Sequence, residues 1–90
     1  MTITVIIGNS DNNLTQQEWS DFVKEVNSAI HQRFLAIHFF GYPPTIAPWQ
    51  NAAWVFDASP LGDFQECLTR IRVKYRQKSM AFIAGQTEFI

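Results

Sequence analysis

The residues best suited to touch a ligand fall in three short blocks of this 90-residue chain. The first, Gly8-Asn9-Ser10-Asp11-Asn12-Asn13, combines turn-forming side chains with a position just ahead of a helix start. Free backbone N–H groups and the helix dipole make such a place attractive to phosphate or carboxylate. The block holds no Lys and lacks the glycine spacing of a P-loop or dinucleotide fingerprint, and Asp11 opposes an anion. The favoured alternative is a polar turn that serves only to start the helix. The second block presents Tyr42, Trp49, Gln50 and Asn51 among prolines. Aromatics on a stiffened loop, with amide side chains beside them, suit stacking of a planar group such as a nucleobase and hydrogen bonding to its edge. The alternative is that Trp49 plugs the end of the core. The third block is basic: five of the seven Lys and Arg residues lie between Arg70 and Lys78. On a helical wheel Arg70, Lys74 and Lys78 flank one side of an apolar stripe, and Arg72 and Arg76 the other. That is a solvated face with cations favoured by the dipole, unless Arg76 and Gln77 at its end reach a ligand anion. Val73, opposite the stripe, is expected to be exposed. The candidate ligand-binding set is Asn9, Ser10, Asp11, Tyr42, Trp49, Gln50, Asn51, Arg76 and Gln77.

Catalysis finds less support. His31 falls on a helix surface and His38 on a strand, and no Ser or Cys is placed to complete a triad. Cys67, the sole cysteine, falls on the apolar side of a helix, so neither an intrachain disulfide nor a Cys-based zinc site can form within one chain. Two His and scattered carboxylates lack metal-ligand spacing. No catalytic residue, metal or cofactor is expected. Asp57 reads either as a site residue or as a neighbour of a helix start.

The elements that must hold these blocks are well marked. Thr2–Ile7 alternates as a β-branched strand with one apolar face. Thr15 and Glu18 form a capping box, with Leu14 and Trp19 at hydrophobic-staple positions. Trp19, Phe22, Val23, Val26 and Ile30 then trace one stripe, so a helix is expected from about Gln16 to Gln32. Phe34–Phe40 reads as a strand with Leu35, Ile37 and Phe39 on one face and Phe34, Ala36, His38 and Phe40 on the other. Pro43, Pro44 and Pro48 make Gly41–Asn51 a connection. Ala52–Asp57 reads as a third strand. Ser59 as N-cap and Pro60 at the first helical position start a second helix, with Leu61, Phe64, Leu68, Ile71 and Tyr75 on its stripe to about Gln77. Met80–Ala84 is a last strand, which Thr87–Ile90 extends.

The order is β-α-β-β-α-β in one α+β domain spanning residues 1–90. Short connections and right-handed crossovers lead to the ferredoxin-like two-layer sandwich, with both helices on one face of a four-stranded antiparallel sheet and the first and third strands central. The other sheet face must then carry several of Ile6, Phe34, His38, Phe40, Trp54 and Phe82 or their neighbours. An apolar sheet of that size is expected to pack on a second copy of the chain, giving a homodimer or higher homo-oligomer, unless the Pro-rich connection folds back over it. In a simple sheet of this type, helix one's N-terminus and the β2–β3 connection are expected at opposite ends of the first strand, so that a single site would need a dimer.

Composition fits a folded domain: 47% of residues are hydrophobic, including eight Phe and three Trp. A formal net charge of −1 gives no global pull toward nucleic acid or anionic membrane, and no long nucleic acid is expected as partner. Neither a signal peptide nor a membrane span is evident, and with one cysteine a cytoplasmic setting is expected.

The blocks GNSD with LTQ and Trp19, PWQNA with Trp54, and YRQ with Ser79 resemble a group of small, largely uncharacterised bacterial and phage proteins. That resemblance implies a bacterial or phage setting and carries no activity with it. Asn9, Trp54 and His38 are similar in type to the polar residues of antibiotic-biosynthesis monooxygenases, which are ferredoxin-like dimers. Three functions are therefore weighed. The first is a non-catalytic oligomeric module holding a small polar or nucleotide-like ligand at its loops, such as a phage protein sequestering a signalling nucleotide. The second is an interaction or inhibitor protein using the open sheet face or the acidic first helix. The third is a cofactor-poor oxygenase.

Overall fold

The computed structural model describes residues 1–33, 37–43, 49–58 and 62–90. The helix-start signal at Ser59, Pro60 and Leu61, the strand positions Phe34, Leu35 and Ala36, and Pro44 and Pro48 lie outside them. The elements are β1 (Thr2–Gly8), a 3-10 turn (Ser10–Asn12), α1 (Gln16–Arg33), β2 (Ile37–Gly41), β3 (Asn51–Asp57), α2 (Gly62–Lys74) and β4 (Ala81–Gly85). The sheet runs β2-β3-β1-β4 with every neighbouring pair antiparallel, the ferredoxin-like arrangement, and β1 and β3 are central.

Helix α1 forms where the capping box places it. The Glu18 N–H donates to Thr15 Oγ1 at 3.1 Å and the Thr15 N–H to Glu18 Oε1 at 3.0 Å, satisfying two otherwise unpaired donors. Leu14 and Trp19 both enter the core. The core lies between the helices and the helix-facing side of the sheet: Ile3, Val5 and Ile7 from β1, Ala52, Trp54 and Phe56 from β3, and Phe22, Val26, Ile30, Phe64 and Leu68 from the helices. Each large side chain buried there contributes about 1.5–3 kcal/mol. Phe22 stands edge-on to Trp19 and stacks on Tyr75 at 5.0 Å between centroids, which joins the two helices. The buried Trp54 indole donates to Asn27 Oδ1 at 3.0 Å, so its N–H is satisfied. Cys67 packs half-buried against this core.

The strand β2 departs from simple alternation. Ile37 pairs with Phe56 and Phe39 with Val55, leaving one extra residue, His38, as a β-bulge. Phe40 therefore joins Ile37 on the helix-facing side and stacks on Trp54 at 5.0 Å, while His38 and Phe39 take the other face. The open face accordingly carries some of the named residues and, for others, their sequence neighbours. Trp54, Phe40 and Phe82 face the helices, and of the expected set only Ile6 and His38 stand among the described residues of the open face. In their place it carries Phe39, Val55 and Ile83, with Phe39 and Ile83 56% and 55% exposed. A Cβ on Gly41 would lie 2.5 Å from Phe39 Cζ, so a larger residue there would push the exposed Phe39 ring aside.

Two further boundaries moved. Helix α2 stops at Lys74 instead of near Gln77, and residues 86–90 do not extend β4. The Thr87 hydroxyl instead hydrogen-bonds the Thr2 hydroxyl across the sheet end.

The helices are clamped at the surface through Glu25, which accepts from Lys74 Nζ at 2.9 Å and from the Tyr75 hydroxyl. Burial pushes the Glu25 carboxyl up, but the Tyr75 and Lys74 hydrogen bonds outweigh it and hold it below its ordinary value. Burial and the Glu25 carboxylate push the Tyr75 phenol well above its ordinary value. The lowered carboxylate adds stability that is present above the unfolded Glu value of about 4.3 and lost as pH falls through the folded one. The raised phenol adds stability that is present below about 10 and lost as pH rises beyond it. Tyr75→Phe keeps the stacked ring and removes the hydroxyl. It is expected to lower stability by about 1 kcal/mol at pH 7, solvent at Glu25 screening the bond below the usual strength of one to a charged group. Urea unfolding at pH 3 and 7 checks this. The gap between wild type and variant narrows at pH 3, and an unchanged gap would show that the hydroxyl stabilises by some other route.

Candidate functional site

Antiparallel pairing of β1 with β3 sets Gly8 opposite Asn51. The end of β1 and the start of β3 are therefore neighbours, and the expectation that the β1–α1 and β2–β3 connections lie at opposite ends is overturned. The Asn9 N–H donates to the Gln50 carbonyl at 3.0 Å. The turn after α2 reaches the same end, because α2 runs back along the sheet from the far end of β3. All three blocks meet within one chain.

Buried amides join them. Asn9, 7% exposed, accepts from the Leu14 N–H through Oδ1 at 3.0 Å and donates through Nδ2 to the Leu14 carbonyl at 3.2 Å and Gln50 Oε1 at 2.9 Å. Gln77, 3% exposed, accepts from the Ser10 N–H at 2.9 Å and donates to Asn13 Oδ1 at 2.9 Å and to the Tyr75 carbonyl at 3.0 Å. Gln50 and Gln16 exchange a reciprocal pair of amide hydrogen bonds at 2.8 and 3.2 Å. No buried side-chain polar atom among the described residues lacks a partner. Asn9 and Gln77 are thus saturated by the protein itself and hold the loops together.

The backbone is strained in the same place. Among the described residues Asp11, Asn12 and Arg76 are the non-glycine positions with positive φ, at 55°, 53° and 57°. Asn and Asp tolerate this conformation, but an Arg there is uncommon. Arg76 occupies the position after the helix end where glycine is usual: its N–H donates to the Val73 carbonyl at 3.0 Å and the Gln77 N–H to the Arg72 carbonyl at 3.1 Å, a Schellman turn. The Arg76 guanidinium pairs with Glu18 at 2.8 Å. The Thr15 backbone N–H and Arg76 together hold the Glu18 carboxyl below its ordinary value.

Around this fixed base stand the exposed members of the candidate set. Trp49 is 62% exposed and Tyr42 60%, with the Tyr42 ring edge-on to Phe40 at 5.1 Å. Asp11 is exposed and lies 3.5 Å from Lys78 Nζ. Asn51 is half-buried in β3, and Ser10 contributes its backbone N–H to the network. Val73 is exposed as expected. Of the candidate set, hydrogen bonds join Asn9 to Gln50 and, through Asn13, Ser10 and Gln77 to Arg76, the two sets meeting at the Asn9–Ser10 peptide; Asp11 pairs with Lys78, and Tyr42, Trp49 and Asn51 enter none of these side-chain bonds. Asn13 and Gln16 are members that the sequence reading missed. The clue lay in topology, since whatever follows β1 must meet whatever precedes β3.

Other chemistry is dispersed. Trp54 is fully buried facing the helices, Asn9 is locked in the loop network, and His38 pairs with Asp57 at 3.0 Å on the open face. The three residues of the oxygenase reading therefore share no pocket. His31 Nδ1–H donates to the Asn27 carbonyl one helical turn back. Among the described residues no group of three His, Cys, Asp or Glu could hold a metal, and no helix is long and apolar enough to cross a membrane. Comparison with protein-family models, curated proteins and solved structures found no match, so geometry alone bears on function.

Arg76 tests whether this end is shaped for folding or for something else. Replacing it with glycine relieves a left-handed backbone worth about 1 kcal/mol and loses an exposed ion pair worth less. Arg76→Gly is expected to raise stability by about 0.5 kcal/mol, read as a higher urea midpoint at unchanged slope. A variant less stable than wild type by a similar amount would mean that the Glu18 pair, not an external contact, accounts for the arginine.

Proposed function

We propose that the protein is a non-catalytic binding module that holds a small planar polar ligand, of nucleotide type, at its loop end. One observation carries this reading: strained backbone and buried, saturated amides concentrate at the single end that also exposes Trp49 and Tyr42. Strain at non-glycine positions persists only where surrounding structure over-determines it, and such positions cluster at binding sites. A rigid base beneath exposed aromatics lowers the entropy lost when a ligand stacks. Trp49 offers the stacking face, and Arg76 supplies positive charge at the same end for an anionic group.

Trp19 and Trp54 are buried, so solvent-exposed tryptophan emission belongs to Trp49. Adenosine and guanosine monophosphates are expected to quench that emission saturably, and ribose 5-phosphate, which has no base to stack, is expected to bind more weakly. Calorimetry on Trp49→Ala should show affinity reduced about tenfold, since stacking of one base is worth about 1–3 kcal/mol. Absence of quenching by either nucleotide at millimolar concentration, or equal affinity of the variant, would remove the reading.

A second feature favours self-association. The open face carries Phe39, Val55 and Ile83 in one row across the sheet, with Thr4 between the last two, and Ile6 on β1 lies in the adjoining row between Ala53 and Ala81. Its charged groups among the described residues sit at one end, where His38 and Asp57 pair with each other. Such a row is self-complementary across a two-fold axis, and we propose a homodimer through it. Light scattering should give a dimer mass for wild type and a monomer mass for Phe39→Glu/Ile83→Glu, whose far-UV spectrum stays native. A monomeric wild type at tens of micromolar would refute the dimer and leave the loop-end proposal standing.

A further inference from the structure

A recess of about 470 Å3 opens between α2 and β4, lined on its apolar side by Leu68, Met80 and Phe82 and on its polar side by Arg72, Lys78 and Ser79. The sequence pattern hid it. With α2 carried to Gln77, Lys78 falls on the helical margin opposite Arg72, but the left-handed turn at Arg76 ends the helix early and swings Lys78 round to join Arg72.

Arg72 is the notable group. Along the same stretch Lys74 pairs with Glu25, Arg76 with Glu18 and Lys78 with Asp11, whereas Arg72 has no carboxylate partner among the described residues. It is half-buried and is not loose. Its Nη1 donates to the Gln77 and Lys78 carbonyls at 2.9 and 3.2 Å, which fixes the guanidinium plane. Its Nε and Nη2 make no hydrogen bond among the described residues. A held, partly desolvated guanidinium with spare donors in a fork suits a planar or tetrahedral oxyanion. Lys78 is exposed and its contact with Asp11 is long, so it can turn to the same anion. The Ser79 hydroxyl adds a neutral donor, and the apolar side accepts a hydrocarbon body.

We infer that this recess is a second binding site, for a small organic anion, a carboxylate or phosphate monoester, whose charged head meets Arg72 and Lys78 and whose apolar body lies along Leu68, Met80 and Phe82. It is independent of the loop-end site, which uses Trp49 and the residues before Lys78.

The test is amide and arginine Nε–H NMR of the full chain titrated with phenyl phosphate, phenylacetate, inorganic phosphate and benzyl alcohol. The two aromatic anions are expected to shift Arg72 Nε–H and the amides from Lys78 to Phe82 saturably. Their relative affinities tell a phosphate site from a carboxylate site. Inorganic phosphate and benzyl alcohol, each with half of the required chemistry, bind about tenfold more weakly or worse. Arg72→Lys keeps the charge and loses the fork, and should weaken phenyl phosphate about tenfold. Lys78→Gln, at an exposed position, should weaken it several-fold and serves if Arg72→Lys fails to fold. The inference is overturned if benzyl alcohol matches phenyl phosphate, if Lys78→Gln binds as wild type does, or if the shifts map to Trp49 and Asn51 in place of the recess.

Discussion

The pairing of β1 between β3 and β4, antiparallel to both, is the constraint on which the rest depends. It buries the one strand that is β-branched along its length, and it decides which connections meet. Because β1 and β3 run oppositely, Gly8 must lie beside Asn51, and because α2 returns along the sheet, its C-terminal turn must arrive at the same end. Nothing about the individual loops needs to be special for this to happen. What is particular to this chain is how it fills the junction: two amide side chains with almost no exposure, each hydrogen-bonded both within its own segment and to one other.

The junction separates two kinds of residue that are easily confused in sequence. Asn9 and Gln77 have the chemistry of ligand-binding groups, yet every polar atom on them is engaged internally. Trp49 and Tyr42 engage little of the protein and are turned outward. A buried amide network is costly unless complete, and a complete one favours a single arrangement of the loops. The polar interior thereby fixes the geometry, and the aromatic exterior is what remains available to a partner.

Much of the fold was legible in the chain itself. The capping box at Thr15 and Glu18 set the start of α1, the stripe from Trp19 to Ile30 set its buried face, and the element order implied the sheet. The errors have identifiable causes. A one-residue bulge at His38 reversed the facing of Phe40, because a period-two pattern cannot register an inserted residue. An arginine in the left-handed region ended α2 at Lys74, where no glycine or proline marked a stop. The convergence of the three blocks was missed for a different reason: it belongs to strand direction, and no local pattern carries strand direction. The recess beside Arg72 was hidden by the same early helix end.

The central claim is that the loop end is one rigid unit held by its buried amides. Native-state hydrogen exchange of the Ser10, Leu14 and Gln77 backbone amides tests it most directly. None of the three lies in a strand or an α-helix, yet each should exchange only at the rate set by global unfolding, as is expected of the amides of Val5 and Phe22. Exchange through faster local openings, unaffected by denaturant, would contradict the account and leave the end of this fold an ordinary set of loops.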